Sequence, residues 1–145
     1  MANKFQKGVF APVNPDKYHG TLPITFRSSW ERRYMVWLDT TSNVIQWNSE
    51  TLVIPYMSPV DNKMHRYFVD FVATFKTKSG EEKTYAIEIK PLNQMLPPKT
   101  RNKERLITEA KTYCVNQAKW DAATKFCKSK GIEFIVLNEK DLGIK

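Results

Sequence analysis

Glu88 and Lys90 stand two residues apart in YAIEIKP (Tyr85 to Pro91), an otherwise mostly apolar run. Strand interiors are depleted in charge because a strand presents at least one buried face. Strand side chains alternate between faces, so these two project the same way, about 7 Å apart. Such a pair is either a solvated sheet edge or a place to hold a metal ion and a water.

Asp70 supplies the second carboxylate. Two alternating runs flank KSG (78–80), which has the form of a three-residue hairpin loop with Gly80 in the left-handed position. That loop pairs Thr77 with Glu81 and, counted back, Asp70 with Glu88. A two-residue loop would set Asp70 opposite Ile89 and mix polar and apolar faces, so the hydrophobic pattern selects the longer one. Facing carboxylates repel unless something positive lies between them. Lys90 can neutralise one of them. A divalent cation neutralises both, and oxygen ligands with retained waters suit Mg²⁺, with Mn²⁺ as a substitute. The chemistry such a group supports is metal-assisted hydrolysis: charge stabilisation at the substrate and a more acidic nucleophilic water.

The elements that must position these residues can be traced along the chain. At 145 residues it fits one domain with a single core, and 41% hydrophobic content with four tryptophans argues for a folded globule. Residues 1–25 hold three prolines among polar residues and are expected to form an extended arm, leaving 26–145 as the domain. RSSWERRYMVWLDTT predicts the first helix, capped by Ser28, and VIQWNSETLVIPY a strand ended by Pro55. In the hairpin, Val69, Phe71, Ala73 and Phe75 share an apolar face with Tyr85, Ile87 and Ile89. The other face carries Asp70, Val72 and Thr74 against Thr84, Ala86 and Glu88, with Lys90 beyond. Residues 102–129 predict a long helix whose face follows Leu106, Ala110, Tyr113, Gln117 and Trp120, ended by Gly131. IEFIVL then predicts a buried strand, parallel to the hairpin strand by a right-handed crossover. The fold class is α/β: a helix, a three-stranded antiparallel meander, a helix and a parallel strand, in one mixed sheet flanked by helices. Trp37 and Trp47 are expected in the core rather than stacked on bases.

Lys and Arg outnumber Asp and Glu by 23 to 15, a net charge of +8. That balance favours a polyanionic partner, nucleic acid first. PPKTRNKER brings Lys99, Arg101, Lys103 and Arg105 to the start of the long helix, where amide donors and the helix dipole favour phosphate. No base-reading pattern is visible, so double-stranded DNA would be held by its backbone. Cys114 and Cys127 would lie about 20 Å apart along one helix, too far for a disulfide. No segment has signal-peptide or membrane-span character, so a cytoplasmic, soluble protein is expected, with no membrane partner.

An Asp on one strand, a Glu on the next and a lysine two residues on form the D…ExK pattern of the PD-(D/E)xK nucleases. Beyond that pattern, SSWERRYMVWLD, WNSETLVIPY, HRYFVDF and IEIKPLNQ, in this order, resemble the head completion nucleases of T-even-type tailed phages. They are more distantly similar to the catalytic N-terminal domain of TnsA-type endonucleases. The resemblance covers residues 26 to 95. It implies a restriction-endonuclease-like fold and a Mg²⁺-dependent DNA endonuclease with Glu31, Asp70, Glu88 and Lys90 as the active residues. The carboxylates and the main-chain carbonyl of Ile89 would hold the metal, and Lys90 would act on the attacking water. Glu31 also completes a capping box with Ser28, and the two roles are compatible. His65 and Gln94 are accessory candidates, each with a plain alternative as a surface residue. Val69 stands where the superfamily pattern expects proline. The implied setting is phage head completion, in the virion and in the host cytoplasm during assembly, with head, portal or neck proteins as partners. A second class of function stays open: a non-catalytic head or neck protein using the same fold as a DNA clamp.

Overall fold

Ser28 opens the first helix as its position requires. In the computed structural model, which describes residues 7–144, helix α1 spans Ser29–Thr40, and the Ser28 hydroxyl oxygen accepts the Glu31 amide at 3.1 Å. Tyr34, Met35 and Leu38 are buried on its inner face. Asp39, also buried, accepts from the amides of Val13 at 2.7 Å and Asn14 at 3.0 Å. Lys17 Nζ donates to the Thr41 carbonyl at 2.7 Å. These bonds tie down the segment expected to be an arm. From Gly8 onward it belongs to the folded body: strands β1 (Gly8–Phe10) and β2 (Ile24–Phe26) pair, and Phe10, Ile24 and Phe26 enter the core. The prolines exclude long regular elements there, but they leave these apolar side chains free to bury. The first six residues of the expected arm lie outside the described residues.

The central sheet is formed by β3 (Val44–Ser49), β6 (Phe71–Lys76), β7 (Glu82–Ile89) and β8 (Glu133–Leu137), in that spatial order. The first three are antiparallel and β8 is parallel to β7. Between β3 and β6 the chain makes a separate two-stranded ribbon, β4 (Val53–Met57) and β5 (Met64–Phe68). The single strand expected over VIQWNSETLVIPY is therefore two, separated at Glu50, whose φ is 52°. Pro55 does not end β4 but lies inside it opposite Arg66, since a two-stranded ribbon has free edges where a missing donor costs nothing.

The hairpin register is the expected one. Phe71 pairs with Ile87 through to Lys76 with Glu82, the Thr77 amide donates to Glu81 at 2.7 Å, and Gly80 has φ 88°. Counted one step on, Asp70 faces Glu88. The strand does break, however, at Val69–Asp70. Val69 donates to Leu52 and the Asp70 carbonyl accepts from Glu50, so the backbone there is held by the β3–β4 corner. The break moves Val69 off the face of Phe71. Phe71, Ala73, Ile87 and Ile89 pack with α1, whereas Val69 packs with Ala86, Trp120 and Ala123 on the opposite side.

Helix α2 spans Lys103–Ser129, with Asn102 accepting the Arg105 amide at 3.0 Å and Gly131 turning the chain at φ 71°. Its buried face runs through Asn116, Trp120, Ala123 and Cys127 rather than the stripe starting at Leu106, which is 39% exposed. Only the C-terminal half of the helix lies on the sheet and ribbon. Strand β8 is half-buried because it forms the sheet edge. Trp47 is in the core, while Trp37 is 44% exposed, lying against Tyr34 and Phe75. Both cysteines are free.

Candidate active site

The strand break, the end of β7, the start of α1 and the middle of α2 converge on Asp70 and Glu88, each 6% exposed. Asp70 Oδ2 accepts the Ile89 amide at 2.8 Å, so the side chain crosses to the neighbouring strand and braces it. Glu88 Oε2 accepts the Tyr67 hydroxyl, and this fixes the carboxylate against β5. Burial, and next the Glu88 charge, pushes the Asp70 carboxyl well above the usual carboxylate range. Burial and then the Asp70 charge raise Glu31 as well. Tyr67 is pushed far up by burial and by Glu88, so its proton stays available for the hydrogen bond.

Arg27 lies among these carboxylates. Its Nη2 is 2.8 Å from Glu50 and 3.7 Å from Asp70 Oδ1, and its Nε is 4.0 Å from Glu31. Glu31 closes the capping box, its amide and carboxylate engaging Ser28, and its carboxylate lies close enough to feel the Asp70 charge. Among the described residues no three His, Cys, Asp or Glu side chains gather closely enough to hold a metal ion as they stand. Two buried carboxylates side by side, with Asp70 raised by burial and by the Glu88 charge, nonetheless suit a hard cation that keeps most of its waters. Asp70 and Glu88 are the pair that could hold one, with Glu31 within electrostatic reach.

Two clefts open from this centre. One, of about 380 Å³, is lined by Glu31, Asp70, Glu88, Ile89, Lys90 and Gln94. The structure thus brings together five candidates named by side chain, with Ile89 beside them. The other cleft, of about 280 Å³, shares Arg27, Asp70, Glu88 and Lys90 and adds Glu50, Arg66, Tyr67, Asn116 and Lys119. Gln94 also lines a neighbouring groove of about 530 Å³ together with Lys99. A path therefore runs from the carboxylates to the first residue of the basic segment.

Other candidates stay apart. His65 lines neither cleft: it bonds Asp61 at 2.8 Å and stacks on Tyr56, because the β4–β5 ribbon leaves the sheet before reaching it. Arg101 and Lys103 are exposed at the start of α2, and Arg105 Nη2 lies 3.8 Å from Glu109. None of the three lines either cleft at Asp70.

Sequence reasoning missed Arg27, Glu50, Asn116 and Lys119. Tyr67 had a signal, since it is the tyrosine of the HRYFVDF segment. Lys119 had none: it reaches the site only because α2 packs across β4 and β8. Burial lowers its proton affinity, with Glu88 and Asp70 acting in the opposite sense.

Comparison with known proteins identifies the family. Residues 41–139 match the family described as TnsA-like endonuclease N terminal. The chain is also 40% identical over 142 residues to the head completion nuclease of Enterobacteria phage T4, covering 93% of this chain and 92% of that protein. Family match and overall relationship together place this chain in the TnsA-like endonuclease N-terminal family, as a relative of the phage T4 protein.

Proposed function

We propose that this protein is a Mg²⁺-dependent DNA endonuclease with a restriction-endonuclease-like fold, acting on packaged DNA as the phage head is completed. The observation that carries the reading is the pair of buried, mutually repelling carboxylates, Asp70 and Glu88, with Lys90 lining the same cleft. The relative's name, head completion nuclease, supports both the chemistry and the setting. Head, portal or neck proteins would be the assembly partners, and the virion and host cytoplasm the sites of action.

Asp70 and Glu88 would hold the ion, Mg²⁺ or Mn²⁺, with the Ile89 carbonyl and Glu31 as further oxygen donors. When bound, the ion supplies charge neutralisation at the scissile phosphate and acidifies a water. The rest falls to the chain. Asp70 is oriented by the Ile89 amide and Glu88 by the Tyr67 hydroxyl, so neither carboxylate must reorganise when substrate arrives. Lys90, two residues beyond Glu88 on the same face, would orient the water and stabilise the developing charge. Gln94 and Lys99 would continue the path along the DNA backbone. Supercoiled plasmid incubated with the purified protein should be nicked in Mg²⁺ and left intact in EDTA. Absence of nicking in both would favour the clamp reading instead.

A further inference from the structure

The cleft on the α2 side of the centre is chemically unlike its neighbour. Besides the shared Arg27, Asp70, Glu88 and Lys90 and the Glu50 carboxylate, it gathers Lys119, Arg66 and Asn116. Lys119 Nζ lies over the Tyr67 ring at 5.5 Å from its centroid and over Tyr56 at 5.9 Å. Tyr67 is the residue whose hydroxyl bonds Glu88, so the ammonium sits beside a ring already anchored to the centre. Among the described residues no carboxylate oxygen lies within ion-pair distance of Lys119. The cation is positioned by aromatic faces rather than neutralised.

Asn116 is the second, independent observation. It is 4% exposed, lines this cleft, and its Nδ2 has no acceptor among the described residues. A buried amide donor without a partner is destabilising and is rarely left so without a reason. An unpaired donor and unpaired cations around one small cleft fit an anion with several oxygens. The cleft shares Asp70, Glu88 and Lys90 with the centre, so one extended polyanion can reach both at once.

We infer that Lys119, Asn116 and Arg66 form a subsite for a DNA backbone phosphate that neighbours the scissile one on the cleaved strand. This rests on the nuclease reading for the identity of the scissile phosphate. Lys119 is then a positioning residue: it sets the strand over the carboxylates and does not touch the reacting atoms. A phosphate there also gives Lys119 a direct anionic partner, which the more distant Glu88 and Asp70 carboxylates do not.

The test separates binding from cleavage. Duplex DNA is titrated in EDTA with full-length Glu88→Gln protein, and with the same protein carrying Lys119→Met, Lys119→Arg or Lys78→Ala. Methionine keeps an apolar stem over the tyrosines, and melting curves verify that each variant is folded. Lys78, at the hairpin tip at the far end of β6 and β7, controls for the loss of one charge. Lys119→Met should flatten the dependence of log K on log salt by about one unit, as expected for one phosphate contact. Lys119→Arg should restore the parent slope, and Lys78→Ala should leave it unchanged. A folded Lys119→Met with the slope of Lys78→Ala overturns the subsite while leaving Mg²⁺-dependent nicking by the wild type untouched. A parent protein that does not bind duplex overturns it as well.

Discussion

The two clefts that meet at Asp70, Glu88 and Lys90 are built from opposite sides of one sheet, and their chemistry differs accordingly. The α1 side contributes Glu31, whose helix start places it near Asp70, and the loop after β7 contributes Gln94. The α2 side contributes Lys119 and Asn116, with Arg66 from the ribbon. On the proposed function, one wall would take the cation and the other the phosphate, with β7 carrying the residues shared between them. Arg27, shared by both, stands in for part of the positive charge that the carboxylates need. A hydrolase acting on a phosphodiester has to hold opposite charges side by side, and a strand with alternating faces between two helices does so economically.

The largest expected effect breaks the cation side. Asp70→Asn should lower Mg²⁺-dependent nicking about 10³-fold, the rate equivalent of several kcal/mol of charge stabilisation. The same change should leave the metal-free fold intact or make it more stable. Asp70 has a folded pKa raised above 3.8, so the folded protein binds the proton more tightly than the unfolded chain. Its contribution to stability is therefore favoured at low pH and lost as pH rises through the raised value. Thermal midpoints without metal should put Asp70→Asn above wild type at neutral pH, with the gap closing on acidification toward pH 4. A gap that widens on acidification would contradict the assigned environment.

Next is Lys90, at the boundary itself. Lys90→Ala should cost about 10²-fold in turnover, the lower end for a group acting on proton and water, while Mg²⁺ affinity measured by calorimetry stays near wild type. Tyr67→Phe asks whether the two walls are mechanically joined. It removes the hydroxyl that fixes Glu88 and keeps the ring under Lys119, so activity or metal affinity should fall 10- to 100-fold, as for other outer-shell partners of metal ligands. Unchanged kinetics in this variant would mean that Glu88 is oriented by the strand alone.

The smallest effect lies farthest from the centre. Replacing Lys99, Arg101 and Lys103 with alanine in Glu88→Gln protein should weaken duplex binding uniformly across sequences and flatten the salt dependence by up to about 3 units. Lys99 borders the groove that Gln94 joins to the site, whereas the other two stand on the exposed start of α2. A loss of only about one unit would confine the DNA path to Lys99.

How much of this was legible depended on the range of the contacts. The hairpin loop fixes its own register through Gly80 and the alternation of apolar residues, so the Asp70–Glu88–Lys90 group follows from fewer than thirty consecutive residues. The Ser28 cap and Glu31 are equally local. The break at Val69–Asp70 was not legible, because it depends on Leu52 and Glu50 supplying backbone partners from the β3–β4 corner. Lys119 and Asn116 were hidden for a similar reason. A lysine on a long helix looks like solvated surface until packing places it over tyrosines of β4 and β5. The anchoring of Val13, Asn14 and Lys17, within the segment 1–25 expected as an extended arm, was hidden for the same reason, since their partners Asp39 and Thr41 lie more than twenty residues away.

The central claim is that β7 holds a centre where DNA is bound on one account and cut on another. Glu88→Gln protein mixed with supercoiled plasmid in Mg²⁺ tests it most directly, by gel retardation and nicking in the same samples. Retarded, un-nicked plasmid, with wild type nicking in parallel, is the predicted result. Nicking by Glu88→Gln at the wild-type rate would contradict the account.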